Sequence, residues 1–251
     1  MTSFHERYEL QGNLLLAGLS PEALSLLQKH FSQQELNAGA MLWKAGDAVG
    51  WVFFPISGMI SVRVPTDDGH GIEVGIIGRE SAAGFFDEPG MLPLATQAIA
   101  HSSGRFLRIP SHAFAEAARQ SAEIRHAAAV CWGWLLLQSQ QIAACNAVHP
   151  ADARLCCRLL RASDALAEET VPLTQEIVAQ AIGIRRTTAT VLAQQLQMRG
   201  MISYSRGKIV IRDRAALEAA ACSCYDAFRR PNWPSELLRR IQIGGKQSAR
   251  S

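Results

Sequence analysis

Side chains that can hydrogen-bond to DNA are concentrated between residues 174 and 208. Arginine can pair with guanine through two hydrogen bonds, glutamine can pair with adenine, and threonine offers a hydroxyl to phosphate and a methyl to thymine. The candidates for such contacts are Thr174, Gln175, Arg185, Arg186, Thr187, Thr188, Thr190, Gln194, Arg206 and Lys208. This chemistry requires a scaffold that brings several of these residues to one groove of a double helix.

The residues around this set predict two short helices joined by a tight turn. Thr174 can cap the first helix, and Glu176 in the first turn suits the positive end of the helix dipole. Gly183 supplies the positive φ that a tight turn requires. The second helix carries an apolar stripe formed by Ala189, Leu192 and Leu196. The pattern is a helix-turn-helix in which the polar side of the second helix faces the major groove.

A two-stranded wing is predicted directly after the second helix. Gly200 ends that helix, and residues 201–212 alternate toward a turn at Arg206 and Gly207. Arg206 and Lys208 at the tip would lie against phosphates. The structural alternative is a three-helix packing module whose basic face is merely solvated.

The charge of the chain is unevenly distributed along its 251 residues. Residues 1–149 hold 9 Lys or Arg against 13 Asp or Glu, whereas residues 150–230 hold 12 against 8. Residues 171–214 alone hold 7 basic and 2 acidic residues. An acidic first half and a basic patch indicate a sensing part and a part that meets a polyanion. With no apolar run of about 18 residues and no export signal, we expect a cytoplasmic location.

The first half has the pattern of an antiparallel barrel or jelly roll. Ser20 begins a short amphipathic helix, and short apolar runs separated by Gly, Pro and Asp follow between residues 35 and 110. A hairpin turn is predicted at Asp67-Asp68-Gly69. We therefore expect an α+β chain, with an effector domain and its helix over 1–148, a winged helix-turn-helix over 149–230, and a flexible tail over 231–251.

A long helix is predicted from Ser111 to about Val148, where His149-Pro150 ends it. Its apolar residues recur at steps of three and four, which is the spacing of a coiled-coil seam. The predicted seam for dimerisation comprises Val130, Trp134, Leu137, Gln141 and Cys145. The alternative is a helix that packs only on its own barrel.

Motifs along most of the chain resemble those of the CRP/FNR family of bacterial transcription regulators. They are Phe53-Phe54-Pro55-Ile56-Ser57-Gly58-Met59-Ile60, Ala144-Cys145-Asn146 with His149 and Arg154, Thr174-Gln175-Glu176, Gly183 and Arg186-Thr187-Thr188. The resemblance covers about residues 10–228. It implies a cyclic-nucleotide-binding-type jelly roll, a dimerisation helix and a C-terminal winged helix-turn-helix. The partners it implies are double-stranded DNA, a second copy of the chain, RNA polymerase and a small-molecule effector.

Three departures from the family pattern bear on the ligand and the operator. The segment that matches the phosphate cassette of cAMP-binding members has no arginine and adds Asp87 and Glu88, so we expect an effector other than cAMP. The absence of cysteine before residue 131 argues against the family's N-terminal iron-sulfur cluster. The recognition helix lacks the family's Glu and second Arg, so the usual operator does not carry over.

Candidates for the effector pocket are Gly84, Phe85, Phe86 and Thr96, which stand in the cassette region. Core packing is the alternative for the aromatic residues. Cys222-x-Cys224 and Cys156-Cys157 could bind a metal or sense redox state, but they lack the usual Cys-x2-Cys spacing, so we expect reduced thiols and no metal or other cofactor.

Neither a nucleophile elbow nor a phosphate-binding loop occurs, so we do not expect an enzyme. Two functions remain open from the sequence: a homodimeric DNA-binding regulator, or an effector-binding module whose C-terminal half docks onto a protein partner. The salt dependence of DNA binding distinguishes them.

Overall fold

The structure is a computed structural model that describes residues 10–67, 71–85, 95–205 and 207–229. The helices in these ranges are α1 (Leu14–Ala17), α2 (Pro21–Gln28), α3 (Ser111–Gln120), α4 (Ala122–Val148), α5 (Ala151–Leu166), α6 (Gln175–Ile182), α7 (Arg186–Met198), α8 (Arg214–Ala220) and α9 (Cys224–Phe228). The strands are β1 (Ser32–Leu36), β2 (Met41–Trp43), β3 (Trp51–Pro55), β4 (Ile60–Pro65), β5 (Gly71–Ile77), β6 (Gln97–Ala100), β7 (Gly104–Pro110), β8 (Thr170–Val171), β9 (Ile202–Ser205) and β10 (Lys208–Ile211). None of the helices in the described ranges has the length and apolar character that a bilayer crossing requires.

The described residues form two compact units. The first contains residues 10–60 and 77–135, and the second contains residues 61–76 and 136–229. The predicted domain boundaries at 148/149 and 230/231 are not tested by this division and remain predictions. The tail predicted over 231–251 and the centre of the predicted hairpin at Asp68-Gly69 lie outside the described residues.

Antiparallel strands and short helices build the first unit. β7 lies between β1 and β3, and β2 pairs with β6. The predicted helix start is confirmed, since the Ser20 hydroxyl accepts a hydrogen bond from the backbone N–H of Ala23 and Pro21 opens α2. The core is aromatic and aliphatic, with Phe54 against Phe31 in an edge-on contact at 5.6 Å between ring centroids.

The predicted long helix is interrupted at one residue. Ser121 has extended backbone angles and ends α3, and its hydroxyl accepts a hydrogen bond from the backbone N–H of Ile124 in the first turn of α4. The Arg125 side chain donates to the carbonyls of Ala118 and Arg119, which lack helical partners at the end of α3. A serine cap therefore starts a new helix where the sequence pattern predicted a continuous one.

The second unit carries the strands β4 and β5, the helices α5 to α9 and a small sheet in the order β8-β10-β9. The predicted break at His149-Pro150 is confirmed, because α4 ends at Val148 and α5 begins at Ala151. Since proline lacks an N–H donor and fixes φ, it suits the position before a helix start.

Candidate DNA-binding surface

The first helix of the predicted motif, α6, is fixed at both ends by the residues that the sequence indicated. The Thr174 hydroxyl accepts a hydrogen bond from the backbone N–H of Ile177 at 3.2 Å. Gly183 ends the helix with φ 65° and ψ 46°, in the left-handed region where a Cβ is costly. The bend that follows spans three residues before α7 begins at Arg186. The predicted helix-turn-helix is confirmed.

The second helix, α7, buries one side and exposes the other. Ala189 and Leu196 of the predicted stripe are buried, Ala193 joins them, and Leu192 is half-buried. On the other side, the N-terminal end presents exposed polar side chains, namely Arg185, Arg186, Thr187 and Thr188, with Gln194 exposed two turns further on. This exposed row has the shape and chemistry of a surface that reads a groove.

The wing begins where the sequence predicted it and lies beside the start of α6. β9 and β10 pair antiparallel, with Lys208 opposite Ser205. A Cβ on Gly207 would come within 3.4 Å of the Thr174 methyl, so the tip of the wing approaches the cap of α6. Lys208 is exposed there, whereas Arg206 lies outside the described residues.

Thr190 makes a contact that the sequence did not predict. Its hydroxyl donates to the Gln175 side-chain oxygen at 2.7 Å and also lies 3.0 Å from the Arg186 carbonyl. The hydroxyl thus joins α7 to the start of α6 rather than projecting outward. The side-chain N–H groups of Gln175 take no part in this hydrogen bond. A DNA phosphate can accept hydrogen bonds from such groups.

A buried polar network holds α5 against β4 and β5 within the second unit. The Arg158 guanidinium forms an ion pair with Glu73, with Nε–Oε1 at 2.6 Å, and both side chains are at most 3% exposed. Glu73 also accepts from the Ser61 hydroxyl at 2.7 Å. Burial lowers the pKa of Arg63, and the adjacent Glu73 opposes that effect and favours the charged form.

Two arginines connect this network and the end of α4 to the helix-turn-helix. Arg63 donates to the Gln180 side-chain oxygen in α6 at 3.1 Å. Arg154 donates to Asn146 at 2.7 Å and to the Ile182 carbonyl at 2.8 Å, which is one of the carbonyls left without a helical partner at the end of α6. The position of α6 is therefore set by side chains from β4 and α5.

Two family models match this chain. Residues 33–121 match the cyclic nucleotide-binding domain, and residues 153–220 match the Crp-like helix-turn-helix domain. The chain belongs to the CRP/FNR family of transcription regulators. Family models and structural neighbours are those of transcription regulators rather than enzymes. No curated protein is similar enough in sequence to count as a match.

Solved structures of CRP/FNR regulators share the fold. A regulator of the family from Eubacterium rectale is 18% identical, with a TM-score of 0.64, covering 84% of this chain and 98% of that one. FixK2 from Bradyrhizobium japonicum is 15% identical, with a TM-score of 0.66 and coverages of 77% and 98%. The c-di-GMP responsive regulator CLP from Xanthomonas campestris is 16% identical, with a TM-score of 0.63 and coverages of 77% and 100%. The predicted jelly roll with a C-terminal winged helix-turn-helix is confirmed.

The candidate effector residues of this CRP/FNR regulator make internal contacts in the first unit. Gly84 adopts φ 102° so close to β3 that a Cβ would lie 2.1 Å from the Trp51 carbonyl oxygen. Phe85 packs on Phe114 with ring centroids 5.0 Å apart, and the Thr96 carbonyl accepts from the Trp43 indole at 3.1 Å. Phe86 lies outside the described residues. The effector role of the four residues remains a prediction.

A small cavity lies beside these residues, and its walls are apolar. Trp43, Phe85, Cys131 and Trp132 are among the side chains that line it, and its free volume is about 10 Å³. That is close to the minimum that one water molecule occupies. As lined by the described residues, this cavity is too small and too apolar to hold a cyclic phosphate.

The predicted dimerisation stripe of α4 faces its own chain in part. Val130 and Cys145 are buried, and Trp134, Leu137 and Gln141 are half-buried. The adjacent stripe is exposed along the helix at alternating steps of four and three, and it comprises Ala129, Gly133, Leu136, Gln140, Ala143 and Ala147. The predicted seam remains a prediction. The adjacent stripe is the more exposed of the two.

Four of the residues that could bind a metal come together although they are far apart in sequence. The donor atoms of Cys145, His149, Cys222 and Cys224 all lie within 4.8 Å of one another; we refer to these residues as the thiol cluster. Hydrogen bonds from neighbouring thiols, above all from Cys157, lower the pKa of Cys222. In the sequence, the Cys-x-Cys and Cys-Cys pairs were the candidates for metal binding. The missed signal is Cys145-x3-His149, a spacing that places both side chains on one side of a helix.

Proposed function

We propose that this CRP/FNR regulator recognises specific sequences in double-stranded DNA by inserting the N-terminal end of α7 into the major groove. The observation that carries the proposal is the exposed row at residues 185–188, beside which the wing approaches Thr174. Lys208 and Arg206 would bind phosphates on one side of the groove, and Thr174 and Gln175 would bind them on the other.

The position of two arginines supports an anionic partner. Arg185 is the N-cap of α7 and Arg186 is its first residue, with no acidic residue in the first turn. Positive charge at a helix N-terminus is unfavourable, because the unpaired backbone N–H groups there already carry partial positive charge. A DNA phosphate or the acceptor edge of guanine would relieve that repulsion.

We further propose that two copies pair along α4 to present two reading helices. The exposed stripe from Ala129 to Ala147 has the spacing of a coiled-coil seam, and its small residues permit close approach of two helices. Leu136 is its large apolar member and is 57% exposed. The predicted seam is less suited to pairing, because its Val130 and Cys145 are buried.

The effector that we propose is not a cyclic nucleotide. The cassette region has no arginine, and the described arginines Arg63 and Arg158 are engaged with Gln180 and Glu73. A cyclic phosphate requires a cationic or N–H-rich cradle. A ligand that shifts β4 or β5 would act on α6 through Arg63. RNA polymerase is the further partner we propose, without assigning it a surface.

The test of DNA recognition is a titration of duplexes selected by the wild-type protein from a random pool. We expect log K to fall linearly with log salt, by about 0.9 for each phosphate neutralised. Arg186→Ala should weaken binding to the selected site by about 1–3 kcal/mol and relax the preference at one base pair. Arg119→Ala is the matched control, since it removes an exposed positive charge from α3, outside the reading surface.

A protein-docking function would give a different result. Wild-type protein would then show no selected sequence and only a shallow salt dependence, and Arg186→Ala would bind the pool as wild type does. Equal losses for Arg186→Ala and Arg119→Ala would also contradict the proposal, because they would indicate a response to net charge alone.

The test of the dimer compares two adjacent leucines in α4. Leu136→Asp should give monomers in sedimentation equilibrium, because it places a charge on the exposed seam. Leu137→Asp changes a half-buried neighbour by the same chemistry and serves as the matched control. Dissociation by Leu137→Asp with an intact dimer in Leu136→Asp would restore the seam predicted from the sequence.

A further inference from the structure

The thiol cluster is assembled from three separate parts of the second unit. Cys145 lies in the last turn of α4, His149 follows directly after that helix, and Cys222 and Cys224 flank the start of α9. All four lie outside the segments that match the two family models. The cluster is thus additional to the jelly roll and the helix-turn-helix.

The distances within the cluster approach those of a single tetrahedral ion. The sulfurs of Cys145 and Cys222 are 3.5 Å apart, and the Cys224 sulfur lies 3.4 Å from His149 Nδ1. With Zn–S bonds of about 2.3 Å and Zn–N bonds of about 2.0 Å, tetrahedral geometry separates two sulfurs by about 3.8 Å and a sulfur from a nitrogen by about 3.5 Å. Both contacts match these separations within a few tenths of an ångström.

We propose that Cys145, His149, Cys222 and Cys224 form a Zn²⁺ site. Three thiolates and one imidazole are a donor set that Zn²⁺ prefers, and the three-residue gap between Cys145 and His149 falls within the usual ligand spacing. The donor atoms lie close enough together to share one ion, whereas donors on different irons of a cluster stand farther apart than 4.8 Å allows. The sulfurs are also farther apart than the 2.05 Å of a disulfide bond.

The surroundings of the cluster suit charged sulfur ligands. The Gln141 amide donates a hydrogen bond to the Cys224 sulfur at 3.0 Å, as groups behind a ligand do in metal sites. The three cysteines are buried, which excludes competing water, and half-buried His149 leaves a route of entry from the surface.

The elements that carry the ligands are already held in position. The backbone N–H of Cys222 donates to the Ala153 carbonyl at 3.4 Å, and the Tyr225 hydroxyl donates to Asp164 at 2.9 Å. Arg214 donates to Tyr225 at 2.8 Å. These contacts fix the start of α9 against α5. A bound ion would add a direct connection from α9 to the end of α4, on the two sides of His149-Pro150.

The experiment measures metal bound to the full-length protein, independently of DNA. The protein is purified without chelator, and its metal content is determined by mass spectrometry. We expect one Zn²⁺ per chain. After the zinc is removed under reducing conditions, Co²⁺ is added as a probe, and we expect the visible bands of tetrahedral coordination together with sulfur-to-cobalt charge transfer.

Single substitutions locate the site. Cys224→Ser and His149→Asn should each weaken Zn²⁺ in a competition titration by more than about 100-fold, since loss of a partner behind a ligand already costs about 10- to 100-fold. Cys131→Ala is the matched control, because it removes a buried thiol from the first unit. It should keep one Zn²⁺ per chain. His149→Asn changes a half-buried residue, so it keeps the test valid if a cysteine variant does not fold.

Three results would overturn the proposal. The first is wild-type protein that takes up neither Zn²⁺ nor Co²⁺ after reduction. The second is equal Zn²⁺ affinity in wild type, Cys224→Ser and His149→Asn. The third is a disulfide within the cluster, detected as a mass 2 Da lower than that of the reduced chain, together with no metal uptake after its reduction. None of these results depends on whether the protein binds DNA.

Discussion

Two arginines of α5 are buried, whereas the two arginines at the start of α7 are exposed, although all four carry the same charge. Arg158 of α5 pairs with Glu73, and Arg161 donates to Gln138 at 2.7 Å and stacks over the Phe228 ring at 3.9 Å. Arg185 and Arg186 are exposed. The basic excess of residues 150–230 therefore includes a buried structural set, Arg158 and Arg161, and an exposed set, Arg185 and Arg186, which we propose reads DNA.

The spacing of each set explains the difference. Arg154, Arg158 and Arg161 are four and three residues apart, so they occupy one side of α5. They reach Asn146 near the end of α4, Glu73 of β5 and Phe228 of α9 in turn. Arg185 and Arg186 are adjacent and occupy the N-cap and the first position of α7, before its buried stripe begins at Ala189. Helical periodicity therefore distinguishes buried from exposed arginines better than a count of charges does.

The largest effect that we expect from this comparison is on stability, in Arg158→Ala. Removing one member of a buried ion pair takes away the positive charge in contact with Glu73 and should lower the free energy of unfolding by about 3–5 kcal/mol. The measurement is urea unfolding followed by circular dichroism. The same variant, where folded, should keep the wild-type sequence preference, whereas Arg186→Ala should lose preference and keep its stability.

A double variant provides the control for this prediction. Glu73→Leu combined with Arg158→Met removes both charges and should recover most of the lost stability, because a buried pair can often be replaced by apolar side chains. If Arg158→Ala unfolds within about 1 kcal/mol of wild type, the ion pair is not what holds α5 to β5, and the division between the two arginine sets fails.

Local signals made the DNA-binding motif predictable from the sequence. Thr174 caps α6, and Gly183 ends it, within a segment that needs no distant partner for its interpretation. The local sequence indicates strands β1 and β6 less clearly, because β1 is mostly polar and β6 is only four residues long. Their pairing with β7 and β2 supplies what the pattern lacks.

Contacts between residues that are far apart in the sequence could not be predicted from local patterns. Glu73 and Arg158 are 85 residues apart, and Cys145 and Cys222 are 77 apart. Each of these residues has an ordinary local context, so nothing near it indicates its partner. The seam of α4 shows the same limit, since apolar spacing identified a stripe but not whether it faces its own chain or a second copy.

The smallest effect that we expect concerns Thr190. This polar residue of α7 is hydrogen-bonded within the protein, unlike the exposed Arg185 and Arg186 at the start of the helix. Thr190→Val keeps the shape and removes the hydroxyl that donates to Gln175. We expect a loss of about 0.5–1.5 kcal/mol in the free energy of unfolding, which is the usual net worth of one such bond. Thr188→Val is the control, because Thr188 is exposed on the same helix.

Sequence preference decides what the Thr190 hydroxyl does. If it joins α6 to α7, Thr190→Val should weaken binding to all duplexes by a similar factor, since the reading helix is held less firmly. A change of preference at one base pair, with the stability of wild type, would instead return Thr190 to the base-reading set predicted from the sequence. Measured together, stability and sequence preference therefore assign the role of the Thr190 side chain.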